Sequence, residues 1–238
     1  MSNIFKQTLE NGLASLLDCR PIRRLIDCLD HRSENRMTER GMLAQAFEFK
    51  HINEVDGDYF EFGLWRGKTF RYAHSLKRRH KMSKMMLWGF DSFEGLPSIT
   101  EQEDNIWQKG AFACGESELR KILASHGFKP SEYVLIPGYY EKSLNKELHH
   151  RVADRRAAIV YIDCDLYEST VSVLGFVHRY FVNGTIICFD DWYTYKGAPD
   201  KGEQRALKEF EASHGELEFM PYLDYGPVGK SFIIHFKV

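Results

Sequence analysis

The feature that most constrains the fold is a series of five short apolar runs, each followed by a segment of helical pattern. The runs begin at Tyr59, Met85, Tyr133, Ala157 and Thr185. Strands that alternate with helices in this way pack as a parallel sheet with helices on both faces. Two further strand patterns, at residues 216–221 and 231–238, are joined only by a turn, which predicts an antiparallel partner at the end of the sheet. We therefore predict an α/β fold with a seven-stranded, mostly parallel sheet and a last antiparallel strand.

The first 52 residues have a different texture. Apolar residues recur there at helical spacing, and no strand pattern precedes Gly57. This predicts an N-terminal helical cap or lid over residues 1–52, followed by a catalytic domain over residues 53–238. We expect the cap to cover the acceptor site, and its helices are a candidate homodimer interface.

Charge and composition exclude two classes of partner. The formal net charge is only −2, so no basic field predicts nucleic-acid binding. No apolar stretch approaches the roughly 20 residues that span a bilayer, so no membrane partner is expected. The five cysteines show no C-x-x-C spacing and are interpreted as free thiols of a reducing compartment. We expect a cytoplasmic protein that acts on a small molecule.

Acidic residues follow several of the predicted strands at the point where each strand ends. In open parallel sheets, ligands bind beyond the carboxyl ends of the strands. Asp91 follows the second run, at the position that accepts hydrogen bonds from ribose hydroxyls in nucleotide-binding folds. The sequence therefore predicts a nucleoside contact at Asp91.

Three more carboxylates follow the fourth and fifth runs: Asp163, Asp190 and Asp191. Carboxylates held close together repel one another unless a cation neutralises them. Oxygen ligands without His or Cys suit Mg²⁺ or Ca²⁺ best, with Mn²⁺ as a further option. We predict a Mg²⁺ site at these three residues, with Asp165 supporting or capping and Glu168 solvated at a helix start.

Four segments carry a resemblance to a known family. The motifs EFGLWRGKT, FDSFEGLP, YIDCDLYEST and FDDW occur in this order within roughly residues 57–210. In sequence and spacing they resemble the macrocin O-methyltransferase (TylF-like) family of class I S-adenosylmethionine-dependent methyltransferases. The resemblance implies a Rossmann-like class I methyltransferase fold and methylation of hydroxyls on sugars of secondary metabolites. One departure is Trp192, which stands where the family usually has Tyr.

The resemblance also implies roles for individual residues. The residues assigned to the methyl donor are Glu61, Gly63, Gly67, Asp91, Ser92, Phe93 and Gly138. The first three surround its amino-acid end, Asp91 holds the ribose, Ser92 and Phe93 lie beside the nucleoside, and Gly138 lies near the adenine. Asp163, Asp190 and Asp191 again hold Mg²⁺. Asp163 is the expected catalytic residue, since it or a bound water would take the proton from the acceptor hydroxyl.

The function hypothesis is a Mg²⁺-dependent O-methyltransferase that uses S-adenosylmethionine. A nitrogen or carboxylate acceptor is a first alternative, and a non-catalytic binding module with a methyltransferase-like fold is a second. A nicotinamide-dependent dehydrogenase is disfavoured. The G-x-G-x-x-G motif is absent, and Leu64, Trp65 and Arg66 would obstruct the approach of a pyrophosphate.

Overall fold

Seven strands and seven helices form the described part of the chain, residues 37–98 and 106–237, in this computed structural model. The strands are β1 (Asp58–Phe62), β2 (Leu87–Asp91), β3 (Tyr133–Pro137), β4 (Ala157–Ile162), β5 (Phe181–Phe189), β6 (Leu217–Tyr225) and β7 (Gly229–Phe236). The helices are α1 (Glu39–Ile52), α2 (Lys68–Arg79), α3 (Glu116–Ser125), α4 (Tyr140–Ser143), α5 (Lys146–Arg151), α6 (Tyr167–Val177) and α7 (Gly202–Ser213). Three short 3-10 helices complete the set.

The strands form one sheet in the order β3-β2-β1-β4-β5-β7-β6. Strands β1 to β5 are parallel to one another, whereas β7 is antiparallel to both β5 and β6. Only β7 therefore runs against the other six strands, as the predicted antiparallel partner requires. The order reverses direction between β1 and β4, which is where ligands bind in folds of this kind.

Alternating residues of the central strands face two different helical layers. Phe60 and Phe62 of β1 belong to the larger apolar cluster, which includes residues of α6 and α7. Tyr59 points the other way and contacts Phe47 of α1 and Phe70 of α2, with ring centroids 5.9 and 6.2 Å apart. The sheet is thus buried on both faces, and polar groups reach solvent at the strand ends.

Helix α1 belongs to the same compact unit as the sheet, which covers Glu39–Val238. Its buried side chains pack against the face of the sheet that carries Tyr59; they are Met42, Leu43, Ala46 and Phe47. The compact unit therefore begins at Glu39, and the boundary between cap and catalytic domain at residue 52 stays a prediction. The remainder of the predicted cap, residues 1–36, and its predicted dimer interface lie outside the described residues. Among the described helices, none is long and apolar enough to cross a membrane.

Two predicted boundaries differ from the structure for local reasons. The sequence pattern of residues 169–181 predicts a helix that ends at Asn183-Gly184, but this pair lies inside β5, where the register with β4 shifts. Gly184 has a left-handed φ of 88°, so it introduces a bulge rather than a chain stop. The polar, helical pattern of residues 142–154 predicts one helix. The structure has two short helices there, α4 and α5, because Asn145 caps the second by accepting from the Leu148 N–H at 3.0 Å.

Candidate functional site

The loop from β1 to α2 is held against the end of β4 by a close backbone contact. A Cβ atom added to Gly63 would lie 1.6 Å from the carbonyl oxygen of Asp163, and Gly63 has a φ of 89°. Only glycine fits such an approach. Gly67, with a φ of 66°, then begins α2. The two glycines predicted from the sequence therefore set the path of this loop.

Asp91 organises the same loop from the end of β2. Its Oδ2 atom accepts from the Leu64 and Trp65 N–H groups at 2.6 and 3.0 Å, and its Oδ1 atom accepts from the Phe93 N–H at 2.7 Å. Burial raises the pKa of Asp91, and these three hydrogen bonds oppose that shift. A carboxylate offers about four acceptor positions, so one remains for a ligand hydroxyl on the side that lines the cavity described below.

The other residues assigned to the donor divide into two groups. Ser92 lines the cavity and donates from Oγ to the Gly95 carbonyl at 2.8 Å. Phe93 and Gly138 are not among the lining residues. Gly138 donates its N–H to the Asp91 carbonyl at 2.9 Å and so stabilises the end of β2. Tyr139 and Tyr140, which follow Gly138, line the cavity instead.

Glu61, which the sequence assigned to the donor, is not among the residues that line the cavity. It follows Tyr59 by two residues in β1 and so faces the helical layer of α1 and α2. Its carboxyl group is fully buried and accepts from the hydroxyls of Tyr59 and Thr69, the latter at 2.5 Å. Burial raises its pKa to about 8. Glu61 therefore links β1 to α2, the two elements that flank the glycine loop.

An acidic cluster lies at the ends of β4 and β5. One carboxylate oxygen each from Asp163, Asp165 and Asp191 lies within 4.8 Å of the other two. Asp190 is not in this group, and its Oδ1 atom accepts from the Tyr161 hydroxyl at 2.5 Å. The described structure thus brings together two of the three predicted metal ligands and adds Asp165, which was expected only to support or cap.

Asp165 has a left-handed backbone, with a φ of 63°. The signal that could have identified it is its position two residues after Asp163, just beyond the end of β4. Glu203 was missed altogether. It lies in α7, is 1% exposed, and its Oε2 atom accepts from the Asp191 N–H at 3.0 Å. Its other oxygen, Oε1, has no hydrogen-bond partner among the described atoms.

Burial and mutual repulsion make this cluster costly to ionise. Burial raises the pKa of Asp163 well above its usual range, and the charges of Asp190, Asp165 and Asp191 raise it further. The pKa of Asp190 rises to about 7, first through burial and then through the charge of Glu39. Such a set of carboxylates either binds protons near neutral pH or holds a cation.

These groups line one cavity of about 310 Å³ at the carboxyl edge of the sheet. Its lining includes the carboxylates of Asp91, Asp163, Asp165, Asp190 and Asp191 and the aromatic side chains of Trp65, Trp107 and Phe112. Six of the eight described non-glycine residues with left-handed backbone lie in the surrounding loops: Trp65, Phe93, Phe112, Asp165, Tyr195 and Lys196. Each such conformation costs about 1–3 kcal/mol. Backbone strain therefore concentrates around this cavity, as it does at functional sites.

The sequence is similar to a family of O-methyltransferases over most of its length. The family profile described as "Macrocin-O-methyltransferase (TylF)" matches residues 33–228. The 8-demethyl-8-(2,3-dimethoxy-alpha-L-rhamnosyl)-tetracenomycin-C 4'-O-methyltransferase of Streptomyces olivaceus is 26% identical over 145 residues, which cover 58% of this chain and 54% of that protein. Demethyldecarbamoylnovobiocin O-methyltransferase of Streptomyces niveus is 26% identical over 157 residues, which cover 63% and 58%. The chain thus matches little more than half the length of these relatives.

Among solved structures, the calicheamicin methyltransferase CalS11 shares the fold. Its TM-score is 0.68 at 22% sequence identity, and the match covers 98% of this chain and 93% of that one. At this identity the likeness concerns the fold alone. The predicted Rossmann-like class I methyltransferase fold is confirmed.

Proposed function

Because the chain belongs to the macrocin-O-methyltransferase (TylF) family, we propose that it transfers the methyl group of S-adenosylmethionine to a hydroxyl of a polyhydroxylated small molecule. The name of one relative describes methylation of a rhamnosyl-tetracenomycin at an oxygen. A sugar hydroxyl on a secondary metabolite is accordingly the acceptor that we propose for this chain. The observation that carries the proposal is the single cavity shared by the glycine loop, Asp91 and the acidic cluster.

The methyl donor would lie beyond the carboxyl ends of β1 and β2. Leu64 and Trp65 direct their N–H groups at Asp91, so the carboxylate both shapes the loop and keeps an acceptor position for a ribose hydroxyl. Nothing in this donor requires the backbone to approach a pyrophosphate. A loop containing Leu64, Trp65 and Arg66 is therefore compatible with S-adenosylmethionine, although it obstructs a dinucleotide.

The chemical step needs alignment and removal of one proton. As the acceptor oxygen bonds to the methyl carbon, the carbon–sulfur bond breaks and the hydroxyl proton leaves. Asp163 and Asp165 line the cavity, and burial raises the pKa of both. These two residues, directly or through a bound water, are the proton acceptors that we propose.

The donor set of the cluster fits Mg²⁺. Asp163, Asp165 and Asp191 supply only hard oxygen atoms. Glu203 accepts from the Asp191 N–H through Oε2, and its Oε1 atom has no hydrogen-bond partner among the described atoms. We propose these three aspartates as the residues that would hold the ion, with Asp190 beside them. A bound divalent cation supplies Lewis acidity, which lowers the pKa of a hydroxyl that contacts it.

Two measurements test the proposal. Isothermal titration calorimetry with S-adenosylhomocysteine measures donor binding, and transfer from methyl-labelled S-adenosylmethionine to a panel of glycosides, catechols, amines and carboxylic acids measures acceptor choice. We expect donor binding and labelling of hydroxyl acceptors alone. Labelling of an amine or a carboxylic acid would instead favour those alternatives, and donor binding without labelling of any acceptor would favour a binding module.

The cation requirement is tested separately. We expect EDTA to abolish transfer and Mg²⁺ to restore it, with Asp163→Asn and Asp191→Asn inactive under both conditions. Full activity in EDTA would remove the ion from the proposal and leave the transferase function intact. Asp224→Asn is a suitable control, because Asp224 forms an exposed pair with Lys230 at 2.9 Å outside the cavity.

A further inference from the structure

Three aromatic residues form a continuous apolar wall on the cavity, which we call the aromatic wall: Trp65, Trp107 and Phe112. The Phe112 ring stands edge-on to both indoles. Its centroid is 5.7 Å from Trp65 at an interplanar angle of 76°, and 6.3 Å from Trp107 at 66°. Phe112 is nevertheless 45% exposed, so the ring packs against its neighbours without being covered.

The backbone holds this exposed ring at a cost. Phe112 has a φ of 58° and Trp65 a φ of 43°, conformations that are outliers for bulky residues. An exposed aromatic residue gains little from burial that would offset such strain. Strain at an exposed, cavity-lining side chain indicates that its position serves a ligand rather than the core.

A hydrogen bond fixes the wall relative to the acidic cluster. The Trp107 Nε1–H group donates to the Tyr195 hydroxyl at 2.7 Å. Tyr195 is 5% exposed and lies in the segment that follows Asp190 and Asp191. The loop after β2 is thereby tied to the loop after β5.

The aromatic wall also includes a residue of the glycine loop between β1 and α2. Trp65 lies in the glycine loop, where its N–H is held by Asp91. One end of the wall is therefore anchored beside the proposed donor and the other beside the carboxylates. An acceptor placed between the methyl group and the acids would lie against these rings.

We propose that the aromatic wall is the acceptor subsite and that it binds the apolar face of a ring, while the acids that line the same cavity take the hydroxyls of that ring. This inference rests on the proposed function. A pyranose presents a face of C–H groups, and an arene presents a π-face; both suit exposed aromatic side chains that keep fixed orientations. Tyr195 is a positioning residue, since it acts through Trp107.

The test uses saturation-transfer difference NMR on the full chain saturated with S-adenosylhomocysteine. The probes are methyl α-L-rhamnopyranoside, which has no arene, and benzyl alcohol, which has no sugar. We expect irradiation of the protein aromatic protons to reach the ring protons of at least one probe. Transfer to the rhamnoside assigns the sugar face as the ligand, and transfer to benzyl alcohol alone assigns an aromatic ring.

Three variants connect the signal to the wall. Phe112→Leu keeps an apolar side chain but removes the ring, Trp107→Ala removes the indole, and Tyr195→Phe removes only the hydroxyl that accepts from Trp107. We expect the first two to weaken transfer by about fivefold or more and the third to weaken it less, as truncation of a binding anchor does. Phe236→Leu is the matched control: Phe236 is 40% exposed and lies at the far end of β7.

The outcomes separate the wall from the function. If S-adenosylhomocysteine binds but neither probe receives saturation, or if the wall variants behave like Phe236→Leu, the wall proposal is overturned and the transferase proposal stands. If S-adenosylhomocysteine does not bind, both proposals fail. Unchanged affinity for S-adenosylhomocysteine in Phe112→Leu and Trp107→Ala shows that a lost probe signal does not come from unfolding.

Discussion

Gly63 illustrates how much of the site depends on one missing side chain. Its backbone lies so close to Asp163 that an added Cβ atom would approach the Asp163 carbonyl oxygen to 1.6 Å. The contact joins the donor loop to the strand that carries the acidic cluster. We expect Gly63→Ala to cost at least about 3 kcal/mol of unfolding free energy, because it combines a steric clash with left-handed backbone. Chemical denaturation measures this cost, and titration calorimetry should show loss of S-adenosylhomocysteine binding.

Gly110→Ala is the control for backbone strain alone. Gly110 has a similar φ of 76°, but an added Cβ atom would meet nothing within 4 Å. A non-glycine residue in this conformation costs about 1 kcal/mol. Equal losses of stability in the two variants would contradict the clash and leave strain as the whole effect.

Glu61 is a buried carboxyl group whose protonation is coupled to folding. Burial raises its pKa from 4.5 to about 8, so the native state binds a proton that the unfolded chain releases. Its contribution to stability is therefore present at low pH and is lost as the pH rises from about 4.5 to 8. We expect Glu61→Gln to become more stable relative to the wild type over this range, by up to about 4 kcal/mol.

Urea denaturation of the two proteins at pH 5 and pH 8 gives this difference directly. The comparison cancels the other titrating groups, which both proteins share. A difference that stays constant between the two pH values would mean that Glu61 is already ionised in the native state at pH 5.

The strand-end carboxylates of the site were predictable from the sequence, but the direction of each side chain was not. Asp91, Asp163, Asp190 and Asp191 were found because a strand end fixes the edge at which a side chain lies. The pattern does not encode which way a carboxylate points beyond the strand. Asp190 therefore turned out to bond with Tyr161, and the left-handed backbone of Asp165 could not be read from its neighbours.

At the scale of single elements, β5 shows how a bulge is satisfied. The Thr185 hydroxyl donates to the Ala157 carbonyl at 2.6 Å and accepts from the Val182 N–H at 2.9 Å. Both hydrogen bonds lie at the register shift between β4 and β5. Thr185→Val removes both of these buried hydrogen bonds to backbone groups and should cost about 2–4 kcal/mol.

Thr170→Val provides the matched control for this prediction. Thr170 is equally buried, and its hydroxyl donates to the Leu166 carbonyl at 2.9 Å. That carbonyl already accepts from the Thr170 N–H at 3.0 Å, so the substitution leaves no unpaired backbone group. We expect a cost below about 1 kcal/mol, measured by thermal and chemical denaturation of both variants. A similar cost in the two would mean that the bulge does not depend on the hydroxyl.

The elements themselves were largely predictable, and their ends were not. Five apolar runs predicted the five parallel strands β1 to β5, because strands covered on both faces are continuously hydrophobic. The strand patterns at residues 216–221 and 231–238 predicted β6 and β7. Asn183-Gly184 gave a false stop, since the same dipeptide ends helices and forms bulges. Glu203 was missed because a helix pattern does not reveal which of its polar residues meets a strand end.

At the scale of the whole molecule, the distribution of charge matters more than its sum. The chain carries a formal net charge of only −2, yet buried acids gather at one edge of the sheet. Burial raises the pKa of Asp163, Asp165, Asp190 and Glu203. The opposite edge has a mixed character, with lysines and arginines beside aspartates around a second cavity of about 440 Å³. A divalent cation at the carboxyl edge would thus act on the stability of the entire fold.

This distribution predicts a pH dependence that Mg²⁺ should remove. Without a cation, the native state binds more protons than the unfolded chain wherever native pKa values are raised, so stability falls as the pH rises. For Asp190 the window runs from its ordinary value of 3.8 to about 7. A cation that binds only the native state stabilises it by mass action and favours the ionised carboxylates.

We expect the unfolding free energy in EDTA to fall between pH 5 and pH 8, and to fall much less in millimolar Mg²⁺. Asp163→Asn should show a shallower fall in EDTA and little response to Mg²⁺, whereas Asp224→Asn, which changes an exposed ion pair, should behave like the wild type. Equal pH profiles with and without Mg²⁺ in the wild type would mean that the carboxylates stay protonated together and that the cluster holds protons in place of a metal.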